Sequence, residues 1–202
     1  MNEDLALFAR SLAVGFAIVT PVGPITLLLL RRSLVDGWSR GAVSALGVAA
    51  ADSVYAVLAA SGVTAIATVL AQHATVLHWI AGGILTLLGL QIALKREGNG
   101  EPARASAGGS FATAFALTMT NPLTILGFAA ALTVLAPARA SWQTFGIEVA
   151  AMCLASLVWQ QVIVAAGTPL RAVLTRRVRR WIDLVAGAVL VGFGVRTAVA
   201  SR

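Results

Sequence analysis

The sequence predicts an all-α integral membrane protein whose six transmembrane helices form two inverted-topology three-helix repeats. The first observation is composition, because 58% of the 202 residues are hydrophobic, only 11% are charged and the mean hydropathy is +0.87. A soluble domain of this length could not bury so much apolar surface. The second observation is six apolar stretches of about 20 residues each, the length that crosses a bilayer core. The third is a proline motif at matching places in the two halves.

The six predicted spans follow one another with short connections. They are residues 5–30, 41–64, 75–94, 111–136, 142–167 and 181–200. Only residues 95–110, rich in Gly, Ala and Ser, have the composition of a flexible linker. The sequence therefore predicts a first repeat over residues 1–94, a cytoplasmic linker over 95–110 and a second repeat over 111–202. Three spans in each half reverse the direction of the second repeat relative to the first.

The distribution of basic residues predicts the orientation. The net charge of +7 would suggest nucleic acid as a partner of a soluble protein, but here the basic residues cluster between apolar stretches. Three loops, at residues 31–40, 95–104 and 171–180, hold 11 of the 15 Lys and Arg residues. The positive-inside rule places these loops in the cytoplasm and both termini outside. The acidic start, Glu3 and Asp4, lacks the basic region of a cleavable signal peptide, so the first stretch is predicted to be a permanent span.

Short shared motifs relate the spans of the two halves in order. The matched pairs are Pro21-Val-Gly-Pro24-Ile-Thr26 with Asn121-Pro122-Leu-Thr124, Asp52-Ser-Val-Tyr55 with Ser156-Leu-Val-Trp159, His78-Trp79-Ile80 with Arg180-Trp181-Ile182, and Leu88-Gly89-Leu90-Gln91 with Phe193-Gly194-Val195-Arg196. Their common order along both halves is what predicts an internal repeat.

Asp52 lies near the centre of the second predicted span, where an ionised carboxylate costs ~3 kcal/mol on insertion scales unless it is paired or hydrated. We expect it to face a cavity, a partner or a proton, and we predict a proton-coupling role. Tyr55, three residues later, falls on the same helical face and could donate a hydrogen bond to the carboxylate or to a ligand. The alternative is a protonated or internally bonded Asp52 that only joins helices.

The two proline motifs predict breaks in spans one and four. A proline inside a span removes an N–H group and frees carbonyl groups, which lipid cannot satisfy. The exposed helix ends attract carboxylate and ammonium groups, so a zwitterion could bind both. The alternative is a pair of simple kinks used for packing. The predicted substrate-binding residues here are Pro21, Gly23, Pro24, Thr26, Asn121, Pro122 and Thr124.

Polar residues in span five extend the predicted site. Ser156 and Trp159 share a helical face and would lie opposite Asp52 if the repeats pair, so both are predicted to bind substrate. Gln160 and Gln161 complete the polar patch, with interfacial anchoring as an equal alternative.

Two further acids lie nearer the ends of their spans. Glu148 is predicted as a second proton-coupling residue at the outer end of span five, with ordinary hydration at the interface as the alternative. Asp183 lies beside Arg179 and Arg180, where a helix dipole and a salt bridge explain it without a role in transport.

The sequence offers no enzyme and no cofactor site. One cysteine, Cys153, and two histidines, His73 and His78, cannot supply a set of metal ligands with usable spacing. No phosphate-binding glycine loop, no Ser/His/Asp set in a plausible order and no HExxH motif occurs.

These motifs together resemble the LysE-type amino-acid exporters, the lysine exporter and threonine/homoserine efflux translocators. The resemblance covers nearly the whole chain. The residues that carry it are Pro21-x-Gly23-Pro24, Arg31-Arg32, the stretch from Gly47 to Tyr55, Asn121-Pro122, Ala155-Ser156-Leu157-Val158-Trp159 and Gly192-Phe193-Gly194. The resemblance implies a six-helix exporter of amino acids or related small metabolites in the bacterial inner membrane, driven by proton influx. The termini that the positive-inside rule places outside would then be periplasmic. Asp52 and the proline motifs would then line the central site.

One departure from the lysine-exporting branch narrows the substrate. The resemblance implies an acid a few residues after Asn121-Pro122, where this chain has Ile125, Leu126 and Gly127, so a neutral or small substrate is favoured. The expected partners are an amino acid, protons and the lipid bilayer, and small-residue helix faces permit a homodimer. Two alternatives remain open: a divalent-metal (cadmium-type) exporter, and a non-transporting membrane assembly subunit whose arginines bind a partner or anionic lipid.

Overall fold

The computed structural model describes residues 3–61, 74–94, 107–135, 141–170 and 174–199, which are almost entirely helical. The elements are α1 (Glu3–Val19), α2 (Pro24–Arg31), a π-helical turn (Arg32–Asp36), α3 (Trp38–Ala60), α4 (Ala74–Leu94), α5 (Ala107–Met119), α6 (Pro122–Leu135), α7 (Trp142–Gly167) and α8 (Arg176–Val199). The all-α prediction is confirmed for the described ranges, where no strand occurs.

Both proline motifs coincide with sharp breaks between helices. The axes of α1 and α2 meet at 82°, and those of α5 and α6 at 60°. Each proline opens the second helix of its pair, where its missing N–H group costs nothing and its fixed φ suits a first turn. The residue before a proline is disfavoured in helical conformation, and Gly23 is indeed extended (φ −135°, ψ −172°).

The structure supports a multi-pass membrane protein with three to five candidate spans among its described residues. α3, α7 and α8 are each long and apolar enough to cross a bilayer, and each bent pair adds one more if it counts as a single broken span. In α4 the apolar part, His78–Leu94, is shorter than a full span. α5 begins at Ala107, within the predicted linker at 95–110, and residues 95–106 lie outside the described ranges.

The middle helices α3 and α7 pack against each other at the centre of the bundle, with α1 on α7 and α5 on α3. α4 and α8 form a second, closely packed pair. A Cβ at Gly82 would lie 2.6 Å from the carbonyl oxygen of Gly194, and one at Gly89 would lie 2.6 Å from that of Gly187. The two helices are therefore antiparallel, and only glycine allows their backbones to approach this closely.

Two apolar clusters fill the bundle, one toward each end. We call the end that carries Arg31 and Asp183 the arginine end, and the end that carries Glu148 the glutamate end. The arginine-end cluster contains Ile25, Leu28, Leu29, Ala42, Ala45, Val48, Leu85, Ile92, Ala114, Leu117, Val164 and Leu190. The glutamate-end cluster contains Tyr55, Ala56, Ala59, Phe128, Ala131 and Met152. Along α3, Asp52 lies between Val48 of the first cluster and Tyr55 of the second.

Candidate functional site

The middle of the bundle holds a hydrogen bond between the two central helices. Ser156 Oγ on α7 donates to Asp52 Oδ2 on α3 over 2.6 Å. Asp52 is 3% exposed and Ser156 is fully buried. A hydroxyl bonded to a carboxylate at this distance is a strong interaction in a low-dielectric interior. The bond alone would fit a purely structural aspartate, so the surroundings of Asp52 decide what it can do.

Asp52 borders a cavity of about 40 Å³ where the two broken spans meet. The polar side chains that line it are Thr26, Asp52, Thr118, Asn121, Thr124 and Gln160. A water molecule needs roughly 10–15 Å³ of such volume, so the cavity has room for only a few waters in this conformation. The carboxylate is therefore beside a small polar space and is not sealed among apolar side chains alone.

Helix ends from both breaks adjoin this cavity. Gly23, which lines it, is the N-cap of α2, and no side chain caps that helix. Asn121 also lines it, and its Nδ2 donates to Thr124 Oγ1 over 3.0 Å at the start of α6. The first N–H groups of a helix have no partner within the helix and carry the positive end of its dipole. The two helix starts can therefore attract an anionic group to the cavity.

Tyr55 takes a different partner from those the sequence suggests. Its hydroxyl donates to the carbonyl oxygen of Met119, the last residue of α5, over 2.5 Å. Its ring stacks on Phe128 of α6 with centroids 5.7 Å apart. Tyr55 thus connects α3 to both helices of the second break. Trp159, which the motifs align with Tyr55, has a buried Nε1 with no hydrogen-bond partner among the described residues.

The structure brings together half of the twelve predicted site residues around the cavity. Those that line it are Pro21, Gly23, Thr26, Asp52, Asn121 and Thr124. Pro24 and Pro122 begin the adjoining helices, and Ser156 is bonded to Asp52. Tyr55 and Trp159 are not among the residues that line the cavity.

Glu148 lies apart from this site, at the glutamate end. It is 1% exposed, and its Oε1 has no hydrogen-bond partner in the part of the chain that the structure describes. It borders a separate surface cavity of about 440 Å³, together with Ser61 at the end of α3 and Trp142 at the start of α7. Glu148 therefore cannot share a ligand with Asp52 in this conformation.

Two residues that line the cavity, Thr118 and Gln160, are not among the predicted site residues. For Gln160 the sequence favours a site role and interfacial anchoring equally. Gln160 follows Ser156 by one helical turn, so the helical period already places both on one face. Thr118 precedes Asn121 by three residues, at the end of the helix before the break. A hydroxyl that bonds its own helix, as Thr118 does to Ala114, gives no pattern that marks it as a cavity residue.

A network of charges at the arginine end was also missed. Arg31 Nε donates to Asp183 Oδ1 over 2.8 Å, and Arg31 also pairs with Asp36. Arg32 donates to Ser44 Oγ over 2.7 Å and to the carbonyl oxygen of Ser110. The sequence analysis treated both arginines as topology signals and expected Asp183 to pair with Arg179 and Arg180.

Comparisons with known proteins identify the family. No group of three or more His, Cys, Asp or Glu residues that could hold a metal ion occurs within the described ranges. The "Putative amino acid efflux protein YcgF" of Bacillus subtilis (strain 168) is 23% identical over 197 residues, which cover 93% of each chain. No solved structure gives a significant match. The LysE type translocator family matches residues 16–201, a range that includes both breaks and Asp52, and the chain therefore belongs to that family.

Proposed function

We propose that the protein is a secondary exporter of amino acids or related small metabolites that works by proton antiport, with alternating access around the central cavity. The observation that carries the proposal is Asp52, which borders a polar cavity at the junction of two broken spans. Acids inside a membrane are costly and mark ion or substrate pathways. Broken helices in corresponding places of two halves mark transporter binding sites.

The chemistry around the cavity suits a zwitterion. A substrate carboxylate would face the N-terminal amides of α2 and α6, while its ammonium group would face Asp52 and the terminal carbonyls of α1 and α5. Apolar side chains, among them Ile18 and Ile25, complete the lining. The region after Asn121 offers no acid to a cationic side chain, so a small or neutral substrate is favoured. The name of the Bacillus relative supports amino acids as the class.

The packing supports an inverted repeat of three spans. Contacts of α1 with α7 are matched by those of α5 with α3, and contacts of α2 with α7 by those of α6 with α3. Gly82 can be aligned with Gly187, and Gly89 with Gly194. Exchange of the two halves then converts the contact between Gly82 and Gly194 into the contact between Gly187 and Gly89. Asp52 and Ser156, which the motifs align with each other, are bonded together. This is the pattern that a pseudo-twofold axis through the Asp52–Ser156 pair would produce.

Two long-range contacts support the proposed orientation in the bacterial inner membrane. Arg31 and Asp183 bring the basic loops at residues 31–40 and 171–180 to one end of the bundle. Gln143 Nε2 donates to Asp4 Oδ2 over 2.9 Å and brings the starts of α7 and α1 to the opposite end. With the basic loops in the cytoplasm, both termini would be periplasmic.

The proposed cycle uses the same carboxylate twice. Asp52 cannot hold a proton and an ammonium group at once, so each displaces the other. Opening toward the periplasm releases the substrate and admits a proton, and opening toward the cytoplasm releases the proton and admits the next substrate. Each turn then exports one substrate against proton influx.

The test is a flux assay with purified protein in proteoliposomes. Efflux of radiolabelled neutral and cationic amino acids is measured with and without an imposed proton gradient. We expect efflux of a neutral amino acid to become faster when the proton gradient drives protons in the opposite direction. This increase should disappear when a protonophore collapses the gradient. Transport of cadmium but no amino acid would favour the metal exporter, and no flux of either would favour the assembly subunit.

A further inference from the structure

We propose that the ion pair between Arg31 and Asp183 is a gate at the arginine end of the bundle, which separates whenever that end opens. The proposal rests on the alternating-access function above. Arg31 lies at the end of α2, and Asp183 lies near the start of α8. Arg31 Nε and Nη2 are both 2.8 Å from Asp183 Oδ1.

The pair is buried, so little water competes with it. The side chains of Arg31 and Asp183 are 6% and 13% exposed, and that of Asp36 is 12% exposed. An ion pair in such surroundings is weakly screened, and removal of one partner leaves an uncompensated buried charge. The contact therefore holds α2 against α8 much more firmly than a surface salt bridge would.

The two carboxylates that face Arg31 belong to different halves of the chain. Asp36 follows Arg31 in the same half, whereas Asp183 lies in the other half. Relative motion of the halves would break the contact with Asp183 and keep the contact with Asp36. A guanidinium group has five donors and can serve both acids. When the gate is open, Asp36 still neutralises Arg31, so opening avoids the cost of an unpaired arginine.

An apolar layer separates the gate from the central cavity. Leu28 and Leu29 lie between the cavity residue Thr26 and Arg31 along α2, and Val164 and Leu190 pack in the same cluster. All four side chains are at most 1% exposed. A substrate that enters from this end must pass first the ion pair and then this layer.

The aligned proline motifs pair Arg31 with Ala129, so the second break carries no arginine at the equivalent position. The repeat alone would make the two ends equivalent, and Arg31 removes that equivalence. The arginine end is therefore expected to be the closed end in the absence of substrate.

Cysteine labelling from one face of the membrane tests the gate. The probe is Val48→Cys at the cavity wall, in a Cys153→Ala background of the full chain in vesicles. A membrane-impermeant maleimide is applied to the face that carries the arginine end. We expect Asp183→Asn to raise the labelling rate about tenfold, the factor for ~1.4 kcal/mol of lost closing free energy.

The controls separate a gate from general loosening of the fold. The conservative variant Asp183→Glu keeps a carboxylate opposite Arg31 and should keep the rate within about twofold of the parent, as expected if the ion pair itself closes this end. Asp4→Asn, the same change in the exposed contact with Gln143 at the opposite end, should leave the rate unchanged. Unchanged labelling in Asp183→Asn, or labelling of Asp183→Glu that is as fast as that of Asp183→Asn, would overturn the proposal. No substrate or proton gradient is present, so the result stands even if export proves to be uncoupled.

Discussion

The two broken spans share a motif but are held differently. At the second break, Tyr55 donates to the last carbonyl of α5 and stacks on α6, so a side chain from the opposite half fixes the junction. The corresponding donor for the first break would be Trp159, whose Nε1 is buried and finds no hydrogen-bond partner within the described ranges. The first break also bends further, by 82° against 60°.

This difference teaches that two breaks with a shared motif can adopt unequal states within one conformation. Under the proposed mechanism the inequality is expected, because a symmetric bundle would open both ends or neither. The second break is held by an aromatic hydrogen bond, and the first is free of the equivalent bond. Exchange of these two states between the breaks would accompany the change of access.

The largest effect is expected from a change at Asp52, which borders the cavity where the two breaks meet. Asp52→Asn keeps the side-chain size but cannot release or accept a proton, so we expect pH-coupled export to fall to background. Efflux in proteoliposomes at two imposed proton gradients measures it. Ser53→Ala is the matched control, because the Ser53 hydroxyl bonds only the carbonyl of Ala49 in its own helix. Export by Asp52→Asn at the parental rate would exclude Asp52 from the mechanism.

The next prediction tests the equivalence of the two halves through the contacts between α4 and α8. Gly82→Leu and Gly187→Leu, which change the two glycines that the repeat aligns, should each destabilise the folded protein by about 1–3 kcal/mol, the usual cost of overpacking. In both cases the new Cβ would lie 2.6 Å from the facing carbonyl oxygen. Thermal unfolding in detergent measures the loss. Gly83→Leu, where nothing lies within 4 Å, should change the melting temperature little. Unequal losses at the two glycines would argue against the repeat.

A smaller effect is expected from Tyr55→Phe. The change keeps the ring on Phe128 but removes the hydrogen bond to Met119, which costs about 1 kcal/mol for a typical buried bond. We expect a lower melting temperature. We also expect a shift in the ratio of the rates at which Val48→Cys is labelled from the two membrane faces. A lower melting temperature with an unshifted ratio would mean that the bond only stabilises the fold.

The smallest effect is expected from Trp159→Phe. Its Nε1 has no partner, so the change removes no hydrogen bond and should lower stability by less than Tyr55→Phe does, mainly through lost contact area. The two variants form a matched pair under the same assay. A loss of stability in Trp159→Phe that equals or exceeds the loss in Tyr55→Phe would remove the contrast between the two breaks.

Local chemistry made part of this structure predictable. The breaks follow from Pro24 and Pro122 themselves, since the backbone consequences of a proline need no tertiary information. The aligned motifs, with the assumption that the repeats pair, predict Ser156 opposite Asp52, and the hydrogen bond between the two side chains is a finding of the structure. Arg31 and Asp183 are 152 positions apart, so no local pattern connects them. Each also has oppositely charged neighbours nearer in the sequence, which account for its charge without a long-range partner. The partner of Tyr55 is a main-chain carbonyl, which carries no signature in the sequence.

The four glycines between α4 and α8 also bear on how neighbouring copies could meet in the bilayer. Glycine-lined helix faces are a common means of self-association between membrane proteins. Here Gly82, Gly89, Gly187 and Gly194 are already occupied by contacts inside a single chain. A second copy would therefore have to use another surface, so these residues do not specify the stoichiometry of an assembly.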